Sequence, residues 1–161
     1  ASPEETGKTF IENALIKARE VSRFSGLPSI ADDSGICAPA LMGQPGIYSA
    51  RYAGLTATDQ ENNQKLVKAL ENQSINDAFY YCVLVFIRHE EDPTPIIGIG
   101  EWHGAIIQSP KGQNGFGYDP YFWLDEYKCT AAELLPETKN RISHRAHASQ
   151  DLMTKLRKLS F

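Results

Sequence analysis

The chain has little of what marks membrane-spanning or nucleic-acid-binding proteins. Its longest apolar stretches, such as residues 80–87, are far shorter than the roughly 20 residues needed to span a bilayer. The formal net charge of −4 supplies no basic field, so we expect no long nucleic acid as a partner and no membrane association.

Cysteine is also scarce. Cys37, Cys82 and Cys129 are odd in number and widely scattered, so they form neither zinc-site spacing nor a useful disulfide framework. We recognise no secretory signal at the start of this sequence. These features together predict a protein of the reducing cytoplasm.

What is present is an ordinary globular composition. Hydrophobic residues make up 42% and charged residues 22% of the 161 positions, and a chain of this length can bury a sizeable core. No linker, internal repeat or low-complexity tract divides it. We therefore expect a single domain over residues 1–161.

Helical and strand patterns alternate along the chain. Thr9 with Glu12, and Thr58 with Glu61, have capping-box spacing, and apolar residues at helical intervals follow each pair. Gly26 ends the first helix. Segments 29–31, 79–88 and 96–108 have strand character, and a C-terminal helix begins near residue 142. This alternation predicts the α/β class.

Two adjacent carboxylates, Asp32 and Asp33, follow the first strand and precede Ser34 and Gly35. Adjacent carboxylates repel, and burial requires a cation or hydrogen bonds to compensate them. An oxygen-rich strand end suits a hard metal ion and a phosphate chain. A solvated turn is the alternative, because Asp, Ser and Gly are common turn residues.

A glycine-rich loop at residues 112–120 is the second candidate. The flanking glycines of Phe116 would expose its ring on a close-approaching backbone, as a platform for stacking a base. The Asp119 carboxylate could accept hydrogen bonds from a base or sugar. A buried Phe116 in an irregular turn is the alternative.

Cationic residues form the third candidate. Lys139, Arg141, His144 and Arg145 lie within seven residues, and at a helix N-terminus they would favour an anion or a nucleobase oxygen. The alternative is a solvated charge cluster. Lys17, one turn after Asn13 in the first helix, is by itself typical of a surface lysine.

Several motifs in fixed order resemble one family. They are residues 5–14, 16–19, 31–35, 45–52, 115–120 and 143–145. In this combination the chain closely resembles the inosine triphosphate pyrophosphatase family, above all its bacterial dITP/XTP pyrophosphatase branch. The resemblance runs from about residue 2 to the C-terminal helix.

The resemblance implies hydrolysis of non-standard purine nucleoside triphosphates (ITP, dITP and XTP) to the monophosphate and pyrophosphate. It also implies Mg²⁺ as cofactor, a homodimer, and an elongated mixed sheet flanked by helices in two lobes with a nucleotide cleft between them. Asp33 resembles the catalytic acidic residue, and Glu5 together with Asp33 the metal ligands. The implied substrate-binding residues are Lys17, Asp32, Ser34, Phe116, Gly117, Tyr118, Asp119, Lys139, His144 and Arg145.

The sequence departs from the family pattern in three places. It starts after the family's N-terminal strand and phosphate-cradling loop, so we expect an N-terminally incomplete domain. Pro39 stands where an Asp is usual, and Ala146 where a Gly is common. Two alternatives follow: a nucleotide-binding fragment impaired in catalysis, and a related pyrophosphatase for pyrimidine or modified nucleotides, against which Ser143-His144-Arg145 argues.

Overall fold

A computed structural model of the chain describes residues 2–159. Its α-helices are α1 (Phe10–Ser25), α2 (Asp59–Leu70), α3 (Pro136–Ile142) and α4 (His144–Leu156), and its strands are β1 (Ser29–Cys37), β2 (Asp77–Ile87), β3 (Ile96–Ile106), β4 (Phe122–Leu124) and β5 (Cys129–Thr130). Short 3₁₀ turns lie at Pro39–Leu41, Gly46–Arg51, Asp119–Tyr121 and Ala131–Glu133. Across these residues, no helix combines the length and the apolar character that crossing a membrane requires.

The first helix begins and ends where its sequence predicts. The Thr9 hydroxyl accepts a hydrogen bond from the Glu12 N–H at the start of α1. At the other end Gly26 adopts the left-handed conformation, with φ of 69°, and its N–H bonds to the Ser22 carbonyl. Glycine is the least costly residue in that conformation. The predicted cap and stop signal of α1 are confirmed.

Strand β1 corrects one expectation. Asp32 and Asp33 were expected at a strand end next to a Ser34-Gly35 turn, but all four residues lie inside the nine-residue strand β1. Pairing with β2 carries the strand through this polar segment, because neighbouring strands override the weak strand preference of Asp, Ser and Gly. The consequence for the two carboxylates is described below.

The five strands form one sheet in the order β1-β2-β3-β4-β5. β3 pairs antiparallel with β4, and β4 with β5. Residues 88–95 are too few for the crossover that a parallel β2–β3 pair would need, so this pair is antiparallel as well. The predicted α/β class is confirmed, and the strand pairs from β2 to β5 are antiparallel.

The chain divides into two compact units. The first comprises the described parts of residues 1–34, 81–101 and 144–161. Its core contains the β2 residues Cys82 and Leu84 packed with Ala148 and Leu152 of α4. Gly98 of β3 lies so close to α4 that an added Cβ would come within 2.5 Å of the Ala148 carbonyl oxygen. A side chain at residue 98 would therefore displace α4.

The second unit comprises residues 35–80 and 102–143. Three aromatic rings form the centre of its core. Phe122 packs edge-on against Tyr80 at 4.7 Å and against Trp102 at 5.4 Å between ring centroids. Leu66 and Leu70 of α2 complete the cluster from the helix side. This core underlies the glycine-rich loop.

The C-terminal segment corrects a second expectation. The predicted single helix from residue 142 is two helices, because Ser143 adopts an extended conformation between α3 and α4. Lys139 and Arg141 therefore lie in the last turn of α3, and only His144 and Arg145 lie in the first turn of α4. The four cationic residues do not share one helix N-terminus.

Candidate active site

Strand geometry separates the two adjacent carboxylates. Successive side chains of a strand point to opposite faces of the sheet, so Asp32 and Asp33 diverge. Asp33 faces α1 and contacts Lys17, whereas Asp32 pairs with Arg145 of α4. The sequence-based expectation that both carboxylates form one corner is therefore wrong.

Glu5, Lys17 and Asp33 form what we call the acidic corner. The Lys17 Nζ lies 3.2 Å from Glu5 Oε1 and 3.6 Å from Asp33 Oδ1. Each of the three side chains is at least seven-tenths buried. One ammonium thus compensates two carboxylates, which leaves the corner with an excess of negative charge.

Asp33 is the least satisfied member of the acidic corner. Its side chain is 10% exposed, and its Oδ2 is buried without a hydrogen-bond partner in residues 2–159. Burial raises the pKa of this carboxyl, and the Glu5 charge adds to the rise, although Lys17 and hydrogen bonds from Asn13 and Ser34 oppose it. Ser34 contributes here through its backbone N–H.

Asn13 of α1 positions two parts of the acidic corner through its side chain, a role that sequence reasoning missed. The fully buried Asn13 accepts a hydrogen bond from the Gly7 N–H at 2.8 Å and also hydrogen-bonds the Asp33 carboxyl. An added Cβ on residue 7 would lie 2.7 Å from Asn13 Oδ1, so only glycine lets the backbone at this position come close enough to Asn13 for the hydrogen bond. This contact anchors the segment that carries Glu5.

Arg145 and Asp32 form a separate ion pair. The Arg145 Nη2 lies 2.6 Å from Asp32 Oδ2, and the two side chains are 56% and 39% exposed. Arg145 follows His144 at the start of α4. Solvent exposure leaves the guanidinium with further donors for a ligand.

The second unit holds the other group of predicted site residues, in residues 115–119, which we call the platform loop. Phe116 is 75% exposed, which rejects the alternative of a buried ring. Asp119, only 2% exposed, organises the loop: its Oδ2 accepts from the Phe116 N–H at 3.1 Å and from Lys139 Nζ at 2.5 Å. Its Oδ1 accepts from the Tyr80 hydroxyl at 2.9 Å.

Lys139 borders the exposed ring. Its Nζ lies 4.4 Å from the centroid of Phe116, within cation–π range, while it pairs with Asp119. Tyr118, by contrast, is buried, and its hydroxyl donates to the Ser49 carbonyl at 2.7 Å. The Tyr118 side chain therefore belongs to the scaffold. Phe116 is the exposed ring of the loop, and the largely buried Lys139 lies beside it.

The chain matches the Ham1 family over residues 1–155. The chain belongs to the Ham1 family. A dITP/XTP pyrophosphatase of Neisseria meningitidis serogroup B is 58% identical over 149 residues, which are 92% of this chain and 75% of that protein. A dITP/XTP pyrophosphatase of Idiomarina loihiensis is 52% identical over 160 residues, covering 98% and 79%.

Two solved structures resemble this Ham1-family chain. A HAM1 protein from Coxiella burnetii has a TM-score of 0.95 and 48% identity, covering 99% of this chain and 82% of that one. A nucleoside-triphosphatase and dITP/XTP pyrophosphatase from Mycobacterium abscessus has a TM-score of 0.81 and 39% identity, covering 97% and 80%. The family resemblance found in the sequence is confirmed.

Proposed function

We propose that this Ham1-family chain hydrolyses dITP, ITP and XTP to the nucleoside monophosphate and pyrophosphate. The observation that carries the proposal is the Asp33 carboxylate, buried beside Lys17 and Glu5 with one oxygen unpartnered among the described residues. A fold evolved only for stability rarely leaves such an atom without a partner. The names of the 58% and 52% identical relatives support this substrate class.

Asp33 would act as the proton acceptor. A water molecule attacks the α-phosphorus, a new oxygen–phosphorus bond forms, and the bond from that phosphorus to the α–β bridging oxygen breaks. Asp33 takes the proton of the water, and pyrophosphate leaves. Burial raises the pKa of the Asp33 carboxyl, and a carboxylate of higher pKa is a stronger base than an ordinary one.

Mg²⁺ fits the acidic corner. Within residues 2–159 no group of three or more His, Cys, Asp or Glu side chains could hold a metal by itself. Mg²⁺, however, is commonly bound by one or two carboxylates together with substrate phosphates and water. Glu5 and Asp33 would supply those carboxylates, and the bound ion would offset the charge of the triphosphate. The unpartnered Asp33 oxygen supports this assignment.

Lys17 would contact the phosphates. Its ammonium carries three donors, and the two carboxylates of the corner lie at 3.2 and 3.6 Å, at the long end of hydrogen-bond and ion-pair contact. A phosphate chain that arrives with its own cation would compete for this lysine. Asp32, Ser34, His144 and Arg145 remain proposed substrate contacts of the same unit.

The platform loop would select the base. A purine stacked on Phe116 would meet the Lys139 ammonium, which has donors and no acceptor. Hypoxanthine and xanthine carry an oxygen acceptor at position 6, whereas adenine carries an amino donor there. Leaving a buried donor unmatched costs about 1–3 kcal/mol, so we expect a preference over adenine nucleotides of about 5- to 150-fold. Gly117, Tyr118 and Asp119 would shape this platform.

We further propose that residues 1–161 act as one pyrophosphatase domain, in the cytoplasm and as a homodimer. The free thiols of Cys82 and Cys129 support a reducing compartment. Light scattering checks the assembly, since a homodimer has twice the 17.9 kDa mass of the chain.

A substrate panel tests the proposed activity. Pyrophosphate release is measured with dITP, ITP, XTP, dATP and GTP in the presence of Mg²⁺, and again after adding EDTA. We expect fast release from the first three nucleotides and loss of release with EDTA. Equal rates on dATP would refute the base selection. Binding of ITP in calorimetry without any release would instead support a nucleotide-binding protein that lacks catalysis.

A further inference from the structure

The exposed ring of the platform loop requires a rigid backbone. Phe116 lies between Gly115 and Gly117, which have φ values of 74° and 61°. Glycines leave a free loop with many conformations, and ordering them on binding would weaken affinity. Asp119 holds the loop through the Phe116 N–H. This hydrogen bond does not involve Gly117, so a rigid loop requires other contacts that hold the backbone at Gly117.

Helix α2 supplies those contacts. The Asp59 Oδ2 accepts a hydrogen bond from the Gly117 N–H at 2.8 Å, and the Asn63 side-chain amide donates to the Gly117 carbonyl at 2.9 Å. Asp59 and Asn63 are one turn apart and so share a helix face. We call this pair the α2 bracket. It engages both backbone polar groups of a single loop residue.

The bracket is not required for the helix itself. Thr58 and Glu61 already form a complete capping box at the start of α2. Asn63 also donates to the Asp59 carbonyl at 2.9 Å, but its own Oδ1 is buried without a partner in the described part of the chain. An apolar side chain would avoid that unsatisfied oxygen. The placement of Asn63 is therefore explained by Gly117 rather than by helix stability.

We infer that Asp59 and Asn63 are positioning residues for base recognition. By fixing Gly117 they hold the adjacent Phe116 ring in the orientation that stacks a purine, without touching the nucleotide. The inference rests on the proposed function, in which the platform loop binds the base. It goes further by assigning a role to two residues of α2 outside the proposed site.

Saturation kinetics with XTP test the assignment in three variants. Asp59→Ala removes the acceptor for the Gly117 N–H, and Asp59→Asn retains an acceptor oxygen. Glu61→Ala removes a first-turn carboxylate whose contact within residues 2–159 is the cap of α2. We expect Asp59→Ala to raise KM about tenfold with kcat within about twofold, because one charge-assisted hydrogen bond is lost. Asp59→Asn should restore most of the affinity, and Glu61→Ala should leave KM unchanged.

Inhibition by inorganic triphosphate separates positioning of the base from general damage. This ion has no base, so its inhibition constant should be the same in wild type and Asp59→Ala. A parallel rise of KM and of that inhibition constant, or an equal KM increase in Glu61→Ala, would show a merely structural role and overturn the inference.

Amide hydrogen exchange provides a readout that does not depend on catalysis. We expect the Gly117 N–H to exchange at least about tenfold faster in Asp59→Ala than in wild type or Glu61→Ala. Unchanged exchange would overturn the bracket even if activity fell. If the wild type releases no pyrophosphate from any nucleotide, the proposed function fails. The dissociation constant for ITP, measured by calorimetry in wild type and Asp59→Ala, then tests the inference. An unchanged dissociation constant in Asp59→Ala would refute it.

Discussion

Each of the two units contains a buried aspartate beside a lysine, but the two aspartates differ in how fully they are bonded. In the platform loop both Asp119 oxygens are engaged, by Tyr80, Lys139 and the Phe116 N–H. In the acidic corner Lys17 approaches Asp33 only to 3.6 Å, and Asp33 Oδ2 has no partner within residues 2–159. A carboxylate whose two oxygens both have hydrogen-bond partners holds the local structure in place, whereas a carboxylate with an unpartnered oxygen is available to a ligand.

The largest expected effect is on turnover by the acidic corner. Asp33→Asn keeps the shape of the side chain but removes the proton acceptor, so kcat for dITP should fall by about 10³-fold. Asp125→Asn is the matched control, because Asp125 is exposed and its ion pair is with the neighbouring Lys128. Pyrophosphate release measures both. Turnover by Asp33→Asn within tenfold of wild type would remove this residue from the mechanism.

The next largest effect is on stability of the platform loop. Asp119→Asn leaves the nearly buried Lys139 without its counter-ion, so we expect a loss of about 3 kcal/mol in the free energy of unfolding. Asp125→Asn breaks an exposed Asp–Lys pair and should cost far less, because solvent screens an exposed ion pair. Urea unfolding compares them. Equal losses in the two variants would refute the structural role assigned to Asp119.

Alanine substitution of the two glycines of the platform loop should have smaller effects on stability, and the two effects should differ in size. An added Cβ at Gly115 would collide with the Asp119 carboxylate, whereas at Gly117 it meets no atom within 4 Å. Gly117→Ala therefore carries only the strain of a positive φ, about 1 kcal/mol, and Gly115→Ala carries more. Thermal unfolding and KM for XTP should both rank Gly115→Ala as the worse variant. The reverse ranking would contradict the described loop.

The smallest effect is a pH dependence of stability in metal-free buffer. Because folding raises the pKa of Asp33, its contribution is fully present below the unfolded pKa of about 3.9 and is lost as pH rises through the folded pKa. The stability of wild type relative to Asp33→Asn should therefore fall as pH rises above the unfolded pKa. Urea unfolding over a series of pH values measures the slope, and a flat difference would refute the shift.

Asp92, in the first unit, has a pKa that is shifted in the opposite direction from that of Asp33. Its burial alone would raise its pKa, but the backbone N–H groups of Arg88 and Thr94 and the Arg88 charge lower it overall. Its contribution is present above the unfolded pKa and lost as pH falls through the folded pKa. The stability of wild type relative to Asp92→Asn should thus rise with pH. Slopes of the same sign for Asp33 and Asp92 would contradict the comparison.

Local signals in the sequence predicted a good part of this molecule. The Thr9 cap and the Gly26 stop follow from residue types at short spacing, and the structure has both of them. The loop pattern left an exposed and a buried Phe116 open, and the structure decides for the exposed ring. Whether Asp32 and Asp33 share a corner depends on β1 continuing beside β2, a pairing that no local pattern encodes. Local pattern alone therefore placed the pair at a strand end.

The contacts that sequence reasoning missed act over long separations. Asn63 reaches the Gly117 carbonyl across 54 positions, and Tyr118 reaches the Ser49 carbonyl across 69. Such contacts are set by the packing of the second unit. The four-residue spacing of Asp59 and Asn63 places both on one helix face, but that spacing identifies no partner for them.

The central claim is that the acidic corner performs the chemistry and the platform loop binds the base. Saturation kinetics with XTP for Asp33→Asn and Phe116→Ala, supported by calorimetric binding, test it most directly. We expect Asp33→Asn to lose kcat with little change in its affinity for XTP. Phe116→Ala should raise KM about 10- to 100-fold with kcat nearly intact, because stacking of a base is lost. A loss of kcat in Phe116→Ala as large as in Asp33→Asn, with KM unchanged, would contradict the claim.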